Sequence, residues 1–99
     1  DRQHLAEDGI MIVVMTLERH SNTVLAGPDI VSRGFVYVRE SEDLMDHARE
    51  VVEQALDTCI DRRITDWGKI KLVVKDAVGD YLWKRTKRRP MILPIIMEA

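Results

Sequence analysis

Ile10-Met11-Ile12-Val13-Val14-Met15-Thr16-Leu17 is an apolar run with a single threonine in it. Eight residues are too few for a core helix, and five of them are β-branched, so the run reads as a strand. Side chains alternate between the two faces of a strand. One face therefore carries Ile10, Ile12 and Val14, and the other carries Met11, Val13, Met15 and Leu17. Near the far end of the chain, Met91–Met97 reads MILPIIM. There Met91, Leu93, Ile95 and Met97 oppose Ile92, Pro94 and Ile96. Pro94 argues for an edge position or a bulge, because proline cannot donate to a ladder. Both runs are apolar on both faces, the pattern of strands covered from two sides rather than of a sheet facing water.

The segments between these runs give the order. Glu18 to Asn22 has turn character, Thr23 to Ala26 starts a second extended segment, and Gly27-Pro28-Asp29 is a breaker. Ile30 to Arg39 reads as extended again, with Gly34 marking a bulge or a close backbone approach. Ser41 suits a helix N-cap, with Glu42 and Asp43 in the first turn, where the helix dipole favours anions. Leu44, Ala48, Val51, Val52, Ala55, Leu56 and Cys59 then follow helical spacing to about Asp61. Thr65 or Asp66 caps a second helix, whose stripe is Ile70, Val73, Val74, Ala77, Val78, Tyr81 and Leu82. Gly79 costs that helix up to ~1 kcal/mol relative to Ala unless it permits close packing. Pro90 ends the helical reading before the last strand.

The expected fold is α/β in the α+β two-layer sense: a small mixed sheet of three to four strands with two helices on one face, in the order β-β-(β)-α-α-β. A right-handed crossover through the helices returns the last strand to the sheet. Residues 1–8 read as a polar tail and residues 9–99 as one domain. The chain opens on Asp1 rather than Met, which suggests a piece of a longer protein.

A supply problem follows from this order. Two helices lying on one side leave the opposite sheet face without a cover, and large exposed apolar patches mark interfaces. The expected interface residues are Met11, Val13, Met15 and Leu17 with Leu93 and Ile95, and a homodimer is the commonest way to bury such a patch. The competing expectation is that the helices straddle the sheet, or that turns close its second face.

Composition narrows the chemistry. The 99 residues hold 45% apolar and 32% charged residues, with a net charge of −2, so the chain as a whole lacks the basic excess of a dedicated nucleic-acid binder. Cys59 is the single cysteine, which rules out an internal disulfide and a cysteine-based zinc cluster. No apolar run approaches a membrane span, no signal-peptide pattern opens the chain, and a cytoplasmic setting is expected. His4, His20 and His47 are scattered, with no HxH or HExxH spacing. Cys59 lies on the apolar helical stripe, where a buried, inert thiol is expected. Ser32 beside Arg33 has no identifiable base. Glu42, Asp43, Asp46, Glu50, Glu53 and Asp57 read as a solvated helix face. No catalytic, cofactor-binding or metal-ligating residue is assigned.

Lys84, Arg85, Lys87, Arg88 and Arg89 stand apart, five basic residues within six positions. They sit where a helix C-terminus favours cations and beside an acidic first helix with which they can pair. The alternative is contact with RNA phosphates, with Tyr81 and Trp83 nearby for stacking, although Tyr81 falls on the core stripe.

Three stretches carry a family resemblance: EDGIMIVVMTL (7–17), GPDIVSRGFVYVRES (27–41) and KRTKRRPMILPIIME (84–98). They resemble the C-terminal domain of ribonuclease J, a metallo-β-lactamase-superfamily enzyme with a β-CASP domain. The likeness runs almost end to end and is specific in GPDIVSRGFVY and TKRRPMILPIIME; the helical segments are more generic. The resemblance implies a small sheet with two helices, joined by a linker to a parent enzyme, that supports dimerisation and full activity. It also implies a parent that cuts RNA endonucleolytically and from the 5′ end, in RNA maturation and messenger decay, with zinc held by HxHxDH-type motifs. This sequence contains no such motif, so no cofactor is expected here and zinc is expected in the parent's catalytic domain. The expected partners are a second copy, the rest of the parent and, through the parent, RNA, with no membrane.

Overall fold

In a computed structural model of the chain, which describes residues 9–18, 20, 24–34 and 41–98, the run at Ile10–Leu17 is strand β1, the centre of a three-stranded sheet. The remaining elements are β2 (Val24–Arg33), α1 (Ser41–Asp61), α2 (Trp67–Thr86) and β3 (Met91–Glu98). The strand order is β2-β1-β3, with β1 antiparallel to β2 and parallel to β3. Parallel pairing requires a crossover connection, which the two helices provide. The expected two-layer fold and element order are what the structure has.

One extended segment replaces two. The breaker read at Gly27-Pro28-Asp29 does not end a strand, because β2 runs through it. The backbone accommodates this with a cis Gly27–Pro28 peptide and a positive φ of 87° at Gly27. Val14 pairs with Asp29 and Thr16 with Ala26, so β2 has one more residue than β1 over this interval. Such a bulge bends one strand while pairing resumes beyond it. The part of the expected third strand from Phe35 to Arg39 lies outside the described residues.

Both helices form for the reasons the spacing implies. In α1, Leu44, Ala48, Val52, Ala55, Leu56 and Cys59 are buried. In α2, Ile70, Val74, Val78 and Leu82 recur every four residues and are buried. Of the two expected caps for α2, Asp66 is the one used: its carboxylate accepts from the Gly68 N–H at 3.0 Å. α1 starts at Ser41 itself, one residue before the expected start.

The exit from α1 had no glycine to announce it. Ile64 N–H donates to the Cys59 carbonyl (2.8 Å) and Arg63 N–H to the Ile60 carbonyl (3.1 Å), with Arg63 at φ 58°. These paired bonds are the Schellman arrangement, and Ile64 packs against the core just beyond it.

The core lies between the sheet and the helix layer. Met11, Val13 and Met15 join the buried residues of both helices, with Ile30 from β2 and Ile92 from β3, in one apolar cluster. α1 packs against β2, α2 against β3, and the helices against each other. Both helices therefore lie on one sheet face.

Candidate assembly surface and basic flank

The burial of β1 alternates strictly. Met11, Val13, Met15 and Leu17 are fully buried, whereas Ile10, Ile12, Val14 and Thr16 are half-buried. The register extends this division across the sheet. On the open side, Ile12 lies between Val31 and Leu93, and Val14 lies between Asp29 and Ile95; Ile10 is flanked by Arg33 and Met91. Val31, Leu93, Ile95 and Met97 are exposed, from 36% for Leu93 to 54% for Met97. Nothing among the described residues covers this aliphatic strip.

This corrects the expected interface. Met11, Val13, Met15 and Leu17 face the helices and are not available to a partner. Leu93 and Ile95 do lie on the open face, together with Ile10, Ile12 and Val14 of β1. The expected set combined opposite faces, because Met11 pairs with Ile92 and Val13 with Pro94. The signal that separates them is in β2, where Asp29 and Arg33 share the open side while Ile30, opposite Val13, is buried. Using that signal requires the strand register, which the sequence alone did not supply.

The outer edge of β3 is a poorer docking site than the face. Met91 N–H donates to the Gly9 carbonyl at 2.9 Å, so Met91 points its backbone groups at β1. By alternation, Ile92, Pro94 and Ile96 turn theirs to the free edge. Pro94 thus costs the existing ladder nothing and leaves a gap in the donors that an added strand would need.

The second feature is the basic segment. Lys84 Nζ pairs with Asp80 of its own helix at 3.1 Å rather than with an α1 carboxylate. Arg85 Nη1 donates to Tyr81 Oη at 3.1 Å, and Tyr81 is half-buried against the core. Lys87 caps α2 in the left-handed conformation, its N–H on the Trp83 carbonyl at 2.9 Å. Trp83 is 37% exposed and carries two cations over its ring, Arg89 at 4.4 Å and Lys87 at 5.4 Å from the centroid. An open groove beside it runs between α2 and the start of β3, lined by Lys75, Asp76, Gly79, Asp80, Trp83, Arg89, Pro90 and Met91 among others.

The other singled-out residues do not converge. Among the described residues, no three His, Cys, Asp or Glu side chains come together as a metal site. His47 is half-buried, with its Nδ1 3.8 Å from Asp43 one turn earlier in α1, and His20 uses its backbone N–H on Glu18. Burial pushes the Cys59 thiol up, with the nearby Arg62 charge opposing, so the thiolate that would act as a nucleophile is disfavoured. No helix among the described residues is long and apolar enough to cross a membrane. His4 lies outside the described residues.

The fold and its surface define a small two-layer α+β domain with one apolar sheet face left open. The chain belongs to the ribonuclease J C-terminal domain family, whose model matches residues 1–99. It is 45% identical over 99 residues to Ribonuclease J2 of Bacillus subtilis (strain 168), covering 100% of this chain and 18% of that protein. It is 48% identical over 98 residues to Ribonuclease J 2 of Staphylococcus aureus (strain NCTC 8325 / PS 47), again 18% of the relative. The chain thus spans about a fifth of the length of the curated relatives it matches.

Proposed function

We propose that this chain is the non-catalytic C-terminal domain of a ribonuclease J-like enzyme, and that it holds two copies of that enzyme together through the open sheet face. The parent is then a cytoplasmic, zinc-dependent RNA endonuclease and 5′–3′ exonuclease of the metallo-β-lactamase and β-CASP type, acting in RNA processing and messenger decay. Zinc belongs to the parent's catalytic domain in this reading. The domain contributes assembly, and through assembly the full activity of the parent.

One observation carries the reading: the aliphatic rows Val31-Ile12-Leu93 and Val14-Ile95 lie on a face that no described residue covers. Isologous pairing puts the same strip on both sides of a two-fold axis, so each row meets apolar surface. The interrupted β3 edge favours stacking of faces over extension of the sheet. Size sets the strength. Three strands ~4.8 Å apart, with same-face side chains repeating every ~6.8 Å, give a patch on the order of 300 Å². Two such patches bury about 600 Å², below the ~1,200–2,000 Å² of stable complexes. The isolated domain should therefore associate weakly, with the rest of the parent adding to the contact.

Sedimentation equilibrium of the 99-residue chain over a wide concentration series tests this. The average mass should rise with concentration, and Ile12→Asp or Ile95→Asp should leave a folded monomer throughout. A chain that stays monomeric at millimolar concentration, or dimers unaffected by both substitutions, would refute the assembly role of this face.

A further inference from the structure

The two helices carry opposite charge. Residues 41–61 hold seven Asp or Glu and one Arg, whereas residues 67–89 hold eight Lys or Arg and two Asp. Their apolar stripes face the same core, so these charges lie side by side on the outer surface of the helix layer, acidic along α1 and basic along α2. A chain of net charge −2 thus has a strongly positive flank. Lys69, Lys75 and Arg88 are exposed and have no carboxylate partner among the described residues. The charge of these three is therefore directed at solvent rather than spent on α1.

A solvated basic helix by itself would attract any polyanion. What distinguishes this one is where it ends. Trp83 stands exposed at the wall of the groove, with Arg89 stacked on its ring and Pro90 and Met91 beside it. Lys75 lines the same groove a little over two turns earlier in α2. Cations at both ends of an apolar, aromatic slot match phosphates flanking an unstacked base, the combination that single-strand binders use. The two acidic residues there do not reverse the field, since Asp80 is paired with Lys84 and Asp76 shares the lining with two cations, Lys75 and Arg89.

We infer that the flank from Lys69 to Arg89 is a binding surface for single-stranded RNA: Lys87 and Arg89 move from the Trp83 ring to neighbouring phosphates, which Lys75 and Arg88 also hold, and the ring they release is the platform for one base. The choice of RNA among polyanions rests on the proposed RNA-cutting parent; the site itself is independent of the assembly face, on the other side of the sheet. The acidic α1 directs the strand to one side by repelling it from the other.

The test uses the 99-residue chain carrying Trp67→Phe, which leaves Trp83 as the only tryptophan, titrated with a 12-nucleotide oligouridine at ~50 mM salt. Trp83 emission should be quenched on binding, and log K should fall linearly with log salt at about 0.7 per phosphate contact. Replacing Lys75, Lys87, Arg88 and Arg89 together by Ala should flatten that slope by about 2 to 3 and weaken binding more than tenfold. Trp83→Leu, followed by anisotropy of a labelled oligonucleotide, should weaken binding about tenfold with the slope kept. Thermal melts confirm that each variant is folded, and Ile12→Asp should bind RNA as the parent chain does. Absence of binding at low salt overturns the inference. So does binding indifferent to Trp83→Leu, or a quadruple variant that alters self-association and leaves RNA affinity unchanged.

Discussion

At the scale of single residues, two glycines show how the same residue type serves opposite ends. Gly27 sits at φ 87°, and a Cβ built there lies 3.2 Å from the Val14 carbonyl oxygen and 3.1 Å from the Asp29 nitrogen. Both neighbours are backbone, which yields little. Gly27→Ala should therefore cost about 1–3 kcal/mol, read as a lower midpoint in urea unfolding. Gly79 lies within α2, and a Cβ there meets only the Ile92 Cδ1 at 3.4 Å, an ordinary contact. The sequence left open whether Gly79 is a defect or a packing device, and the available space answers that one methyl fits. Gly79→Ala should raise stability by about 0.5–1 kcal/mol, the helix-propensity difference. Matching losses for both glycines would show that α2 and β3 are closer than this packing implies.

At the scale of elements, caps rather than composition set the ends of the helices. Asp66 relieves one of the unpartnered N–H groups that open α2, and Asp66→Ala should cost about 1 kcal/mol in thermal or chemical unfolding. Arg63 occupies a left-handed position that glycine prefers, so Arg63→Gly should gain about 0.5–1 kcal/mol, provided the Ile64 contact with the core persists. The N-cap was legible because Asp and Thr immediately before an apolar stripe are its signal. The Schellman turn was not, because arginine there contradicts local preference and is held by two backbone bonds and the Ile64 contact. Strand β2 was misread for a related reason. Gly27-Pro28 looks like a stop to any local rule, yet pairing with β1 on both sides of it recovers more hydrogen bonds than a turn would.

At the scale of the whole molecule, the burial difference between two adjacent residues is the sharpest consequence of the fold. Val13 is completely buried under the helices, whereas its neighbour Ile12 points to the open face. Val13→Asp places an unpaired carboxylate in the apolar core and should cost on the order of 4 kcal/mol, enough to unfold a marginal domain. Ile12→Asp should cost far less and act on association instead. Circular dichroism melts of the two variants separate these outcomes, and comparable destabilisation of both would mean that the second sheet face is also covered within the chain. The molecule thus divides its surface by chemistry: an apolar sheet face on one side and a charged helix layer on the other, acidic along α1 and basic along α2.

Both helices and the strands β1 and β3 were determined by the amino-acid sequence, because helical and strand periodicities are local properties that each segment carries with it. So were the apolar character of both faces of β1 and β3, the shortage of helices to cover them, and the family likeness. Tertiary structure alone decided which face stays open. A period-two pattern that is apolar on both sides has no preferred phase, and only the register of β1 against Ile30 and Asp29, together with the fit of Met11, Val13 and Met15 beneath the helices, breaks that symmetry.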